Sequence, residues 1–208
     1  MKSDILEVRE LRAEEVLRTA GVLARGMRDN PNHIQVFGKD PDHRQAALFQ
    51  LFLPVMPMIH GKGAVLGACL SGALVGVCGM TEPGCCRPGI VEKLKILPQV
   101  AKGNSFGVLK QFLQWTAKWS RHDPSVRHWH LGPVAVDRHL QGKGIGGSMM
   151  KMFCQRMDQL AATAYLETDK PENIAFYKRH GFTVISEDTV VGVTNWFMQR
   201  PARRSNSV

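Results

Sequence analysis

The chain has 208 residues, with 44% apolar and 22% charged residues, which is ordinary globular usage and enough for one self-supporting core. Five cysteines, an odd number with no C-x-x-C pair, point to reduced thiols in a cytoplasmic protein, not to a disulfide framework or a zinc cluster. The formal charge of +9 comes without a run of five basic residues or a stacking-aromatic module of a nucleic-acid binder; it fits a polyanionic small ligand, or a merely basic surface. The N-terminus lacks the apolar run of a signal peptide, and no stretch of about 18 apolar residues is present to span a bilayer.

Residues 5–11 half alternate and predict a first strand, and residues 13–28 carry apolar side chains at helical spacing up to the stop at Asp29-Asn30-Pro31. A second helical pattern starts at Asp40-Pro41. Pro54 and Pro57 are expected to kink or split it. Residues 64–70 and 73–80 flank Ser71-Gly72 and predict a hairpin with a two-residue turn. Residues 82–89 are turn-rich, and residues 90–120 predict two or more helices broken at Pro98 and Gly103. This middle segment carries no catalytic motif. The stretch 126–136 reads as a strand, with Gly132 and Pro133 predicting a bulge or splay that leaves backbone groups free for a ligand.

Residues 134–148, VAVDRHLQGKGIGGS, combine a strand end, clustered glycines and a helix start. Glycine lets backbone approach an anion, and the first N–H groups of a helix point outward without intrahelical partners. The stretch lacks the Gly-Lys-Ser/Thr of a nucleoside-triphosphate loop. Gly142, Gly144 and Gly147 fit a dinucleotide fingerprint, with Glu167 near the required spacing, but the early βαβ unit is missing. The third reading is Gln141-x-x-Gly144-x-Gly146. After a methionine-rich helix, a strand at 164–168, a short helix ending at Gly181, and strands at 182–186 and 192–199 complete the pattern. Residues 201–208 are expected to fray.

About 30 residues beyond the glycine loop stands Asn173-Ile174-Ala175-Phe176-Tyr177-Lys178-Arg179-His180-Gly181-Phe182, with Asn173 and Tyr177 on one helix face. The two spaced motifs resemble the GNAT N-acetyltransferases. Over residues 126–200 the chain is similar to puromycin N-acetyltransferase-like proteins, while the first 125 residues carry little motif. The resemblance implies a single α/β domain over residues 1–200, with a mixed, mostly antiparallel sheet of six or seven strands flanked by helices. It places a parallel pair, 130–136 and 164–168, about the loop. It implies acetyl transfer from acetyl-CoA to a primary amine, with a small-molecule acceptor expected, by direct attack in a ternary complex.

By the same analogy, the backbone of Val134, Ala135 and Val136 pairs with the pantetheine arm. The N–H groups of Gln141, Gly142, Lys143, Gly144, Ile145 and Gly146 hold the pyrophosphate. Asn173 and Phe176 belong to the cofactor set, and Tyr177 protonates the departing sulfur. A phenol of pKa about 10 suits a thiolate of about 8.5. The acceptor amine also needs deprotonation, for which Glu82, His128 and His130 are candidates. His128 and His130 alone do not make a zinc site, and no metal is expected. Cys85-Cys86 has no recognisable base partner, so no acyl-cysteine route is expected. Arg138, Arg179 and His180 are candidates for the adenosine phosphates. Partners are limited to acetyl-CoA and an amine, with no nucleic acid or membrane, in a monomer or homodimer. The rival readings are an acyl-CoA-binding sensor without turnover and a nicotinamide-dinucleotide enzyme.

Overall fold

A computed structural model describes residues 5–203. The frayed tail expected at 201–208 lies outside the described residues from position 204 onward. Seven strands, β1 (Leu6–Glu10), β2 (Gly63–Leu70), β3 (Ala73–Thr81), β4 (Trp129–Val136), β5 (Ala164–Thr168), β6 (Thr183–Val190) and β7 (Val193–Arg200), form one sheet in the order β1-β2-β3-β4-β5-β7-β6. Among the described residues only β4 and β5 run parallel; every other pair is antiparallel. The β2–β3 hairpin turns through Ser71 and Gly72, both at positive φ, as a two-residue turn requires.

Helices α1 (Thr19–Met27), α2 (Pro31–Phe37), α3 (Pro41–Gly61), α4 (Ile90–Ala101) and α5 (Phe106–His122) belong to the core on one sheet face, with Val65, Val77, Ala135, Tyr165 and Phe197. Helices α6 (Ile145–Gln159) and α7 (Pro171–Lys178) cover the other, against Leu66, Cys78, Met80, Leu166 and Met198. On α6 the side chains of Met149, Met150, Phe153 and Met157 are fully buried. Each such burial stabilises by roughly 1.5–3 kcal/mol. Among the described residues no helix is long and apolar enough to cross a membrane.

Several expectations need correction. The first helical pattern opens as a 3₁₀ turn over Ala13–Arg18 before α1 begins, and α2 was not foreseen. Pro54 and Pro57 neither split nor end α3, which runs unbroken from Pro41 to Gly61. The two prolines lie three apart on its outer side, while Leu48, Leu51, Phe52, Met56 and Ile59 pack inward. The missing N–H bonds therefore fall on one face, and the buried face holds the helix together. Likewise, Pro98 sits inside α4 and only the Gly103 region breaks the 90–120 segment. Leu160, assigned to the packed face of α6, is 52% exposed because the helix ends just before it.

Strand β4 carries the distortion that positions the site. Thr81 pairs with His130 and Met80 with Leu131, but the next partner pair is Cys78 with Val134. Gly132 and Pro133 thus face the single residue Gly79, which is a bulge. The extra residue inverts the alternation. Trp129 and Leu131 face α6 before it, and Val134 and Val136 do so after it, while Ala135 turns to the opposite core. On its other edge β4 pairs with β5 only through Trp129–Ala164 and His130–Tyr165. From Leu131 onward that edge has no strand beside it among the described residues.

Candidate active site

The splay between β4 and β5 opens a cavity of about 290 Å³. Its walls include Gly132, Pro133 and Val134 of β4, Glu167 and Thr168 of β5, Asn173 and Tyr177 of α7, and Trp115 and Trp119 of α5. The far wall is fixed by buried polar bonds. The Asn32 backbone N–H donates to Asp169 at 2.7 Å, the amides of Asn32 and Asn195 exchange bonds at 2.7 and 3.2 Å, and the Trp119 indole N–H donates to Asn195 at 2.9 Å. Satisfied buried amides of this kind specify a single arrangement.

The glycine loop leaves the end of β4 and is clamped to α1. Arg25 donates to both oxygens of Asp137, at 2.7 Å from its terminal nitrogen and 3.0–3.1 Å from Nε. Burial disfavours the Asp137 carboxylate, but these bonds outweigh it and hold the group below its ordinary range. The Gln141 side chain donates to the carbonyls of Gly26 and Val136 at 3.1 and 3.0 Å. Its amide therefore ties loop to helix, leaving only backbone N–H for an anion. Gly26 is required at this crossing, because a Cβ there would lie 2.6 Å from the Val136 carbonyl oxygen. Gly142 and Gly144 adopt φ of +77° and +83°, the left-handed region that glycine enters without steric cost. Gly144 is the N-cap of α6, so the N–H groups of Ile145, Gly146 and Gly147 begin that helix without intrahelical partners. Lys143 is exposed beside them.

Phe176 approaches the same loop: a Cβ on Gly146 would sit 3.6 Å from its ring. Tyr177 is 7% exposed, and its hydroxyl has no hydrogen-bond partner among the described residues. Burial pushes its phenol above the ordinary value, with smaller contributions from Cys78 and Asp169. Asn173 donates to the Thr168 hydroxyl at 3.1 Å, which fixes α7 to the end of β5. Val134, Asn173 and Tyr177 thus share one cavity, while Val136 and Phe176 both come close to Gly146 of the loop. Ala135 is buried toward the other core, and only its backbone is available there.

The three proposed bases separate. Glu82 is exposed and lines no cavity. His130 pairs with Glu167 at 2.9 Å and borders the cavity; burial disfavours its charge, but Glu167 and Cys86 raise it to about 10. His128 stands behind it, its Nδ1 against the Val126 carbonyl at 2.7 Å and its Nε2 against Asp123 at 3.0 Å. Cys86 corrects the expectation that it lacks a base partner. Its sulfur lies 3.9 Å from His128 Nε2, and hydrogen bonds from His128 and then His130 lower its thiol to about 6. Nothing local in the sequence signalled this meeting of residues 86, 123 and 128. Of the phosphate candidates, Arg138 pairs with Asp29 at 2.9 Å, Arg179 lies over the Phe176 ring, and burial, then Arg179 and Arg200, lower His180.

The model of the acetyltransferase (GNAT) family matches residues 34–182. The fold is similar to a Corynebacterium glutamicum protein described as histone acetyltransferase HPA2 and related acetyltransferase. That match has 20% identity and a TM-score of 0.72, covering 97% of this chain and 98% of that one. The Drosophila melanogaster polyamine N-acetyltransferase matches with 15% identity and a TM-score of 0.61, over 95% and 100% of the two chains. A Thermoplasma acidophilum N-acetyltransferase in complex with coenzyme A matches with 12% identity and a TM-score of 0.59, over 95% and 99%. The one-strand-parallel sheet, the splayed β4 and the glycine-opened α6 agree with the family assignment: this chain belongs to the GNAT acetyltransferase family.

Proposed function

We propose that the protein transfers the acetyl group of acetyl-CoA directly to a primary amine of a small molecule. The observation that carries this reading is the unpaired edge of β4. From Leu131 to Val134 it borders a cavity that Tyr177 also lines, and beyond Val136 the chain enters the glycine loop. An extended pantetheine arm has amide groups suited to such an edge, as an added strand has. Val134, Ala135 and Val136 then pair with the arm, Asn173 and Phe176 line its path, and N–H groups from Gln141 to Gly146 receive the pyrophosphate. Lys143 adds a full positive charge at the same place.

The amine enters from the α5 side, where the Glu167 carboxylate favours an incoming ammonium and Trp119 offers an aromatic face. The ammonium gives one proton to solvent water and attacks the thioester carbonyl as the free amine, a free β4 N–H stabilises the oxyanion, Tyr177 protonates the leaving sulfur, and the second nitrogen proton returns through solvent to the phenolate as the amide forms. The dinucleotide reading has no support in a sheet with one parallel pair.

The test is calorimetric titration with acetyl-CoA, with NADH as control, repeated on Gly144→Glu. Micromolar acetyl-CoA binding that is lost in the variant, without NADH binding, is expected. An amine panel read by release of free CoA follows. Absence of acetyl-CoA binding sinks the proposal, and binding without turnover on any amine leaves the sensor reading in its place.

A further inference from the structure

Behind the acceptor end of the cavity, three segments far apart in sequence bring three different ligating groups together. Cys86 comes from the 82–89 loop, Asp123 from the residue that ends α5, and His128 from the approach to β4. One potential ligand atom of each lies within 4.8 Å of the others. The sulfur stands 3.9 Å from His128 Nε2 and 3.9 Å from either Asp123 oxygen, and Nε2 stands 3.0 Å from Asp123 Oδ1.

All three are electron-pair donors pointing at one space. The Val126 carbonyl takes the Nδ1 hydrogen of His128, which leaves Nε2 as the inward-facing atom. A backbone carbonyl in that position is the usual way a metal-binding imidazole is oriented. Asp123 is held from outside as well: Arg87 contacts its other oxygen at 3.3 Å, and Arg87 itself donates to the Ser120 carbonyl. A second observation comes from the next layer. Tyr165 is wholly buried and stands edge-on to both His128 and His130, which fixes the ring of His128 from behind.

We propose that Cys86, Asp123 and His128 bind a borderline-soft divalent cation of the zinc class. Ideal tetrahedral zinc, at about 2.3 Å from sulfur and about 2.0 Å from nitrogen or oxygen, sets sulfur about 3.5 Å from nitrogen and nitrogen about 3.3 Å from oxygen. The observed separations need adjustments of only a few tenths of an ångström. A thiolate and an imidazole select zinc over calcium or magnesium, which take oxygen sets. Three protein ligands leave a fourth position. Cys86 lines the cavity described above, and with Asp123, His130 and Glu167 it also lines an adjoining one of about 480 Å³, so that position opens toward the amine side. The site is independent of the acetyl-CoA assignment and goes beyond it.

The experiment is metal titration of the full chain after chelator treatment. One equivalent of Zn²⁺ is expected to bind with micromolar or tighter affinity. Co²⁺ is expected to give the near-ultraviolet thiolate-to-metal charge-transfer band of a cysteine ligand. Cys86→Ser should abolish that band and weaken Zn²⁺ binding by at least about 100-fold, beyond the 10–100-fold typical of outer-shell changes. His128→Ala should weaken Zn²⁺ binding to a similar extent. Cys85→Ser, one residue away and outside the cluster, should leave both readouts unchanged. Circular dichroism confirms that each variant is folded, and the His128 variant keeps the test decisive if Cys86→Ser is not. No saturable Zn²⁺ binding, Co²⁺ binding without the charge-transfer band, or affinity unchanged in both Cys86→Ser and His128→Ala would overturn the proposal. The last outcome would assign the binding to surface histidines, and the first would leave a proton alone holding the three groups together.

Discussion

Replacing Tyr177 by phenylalanine separates the chemistry from the fold. The hydroxyl has no protein hydrogen bond to lose and borders a cavity, so stability should change by less than about 1 kcal/mol, or roughly 2–4 °C in Tm. The rate should respond strongly. Expelling an unprotonated thiolate from a buried site forfeits general acid catalysis, which contributes about 10²–10⁴-fold. Burial raises the phenol, which makes it a weaker acid but keeps it protonated and able to donate through neutral pH. The expected result is a kcat lower by about 100-fold, equivalent to about 2.7 kcal/mol in the barrier, with KM for acetyl-CoA within about threefold. The raised phenol is active when protonated. Any alkaline loss of kcat due to it should therefore start above the ordinary tyrosine value of about 10. The assay is CoA release under saturating amine across pH 6–10. A kcat within about threefold of the parent would refute the acid role.

The remaining predictions concern the loop clamp and the amine side. Arg25→Met leaves the Asp137 carboxylate buried without its partner, and should cost about 1–3 kcal/mol at pH 7 in a urea melt. A carboxyl held below its unfolded value stabilises the fold above that value, near 3.9, and loses the contribution as pH falls through its folded value. The difference between variant and parent should therefore shrink as pH approaches about 3; an equal cost at pH 3 and 7 would contradict the pairing. Gly26→Ala places a Cβ 2.6 Å from the Val136 carbonyl oxygen, so a loss of about 1–3 kcal/mol is expected in thermal melts, with weaker acetyl-CoA binding. Glu167→Gln removes the carboxylate facing the amine; KM for the amine should rise roughly 10–100-fold in steady-state kinetics while acetyl-CoA affinity in calorimetry holds.

The residues proposed for the cofactor could be singled out in the sequence because they are local. Gly142, Gly144, Asn173 and Tyr177 sit on a loop and a short helix whose spacing is written in consecutive residues. The proline and glycine at 132–133 announced the distortion of β4 one strand before the loop. The seven strands were readable from alternation and turns, with β6 longer than expected because the β6–β7 ladder continues to Val190–Val193. What escaped depended on burial geometry. The continuity of α3 through Pro54 and Pro57 rests on which face they occupy, and α2 is a seven-residue helix too short to show a period.

The side proposed for the amine was only partly legible: His130 stood out as a candidate base, but its neighbours did not. The lining combines residues 86, 115, 119, 123, 130 and 167 from a loop, α5, β4 and β5, brought together by tertiary packing rather than by local spacing. His130 reaches Glu167 because β4 and β5 stay paired at His130–Tyr165 and part immediately afterward. One residue more of pairing would close the splay over Leu131, and one fewer would loosen the strand ends that hold His130 against Glu167. The Gly132–Pro133 bulge against β3 and the end of the parallel ladder at His130–Tyr165 fall at the same point of β4, so the strand edge and the His130–Glu167 pair border one cavity.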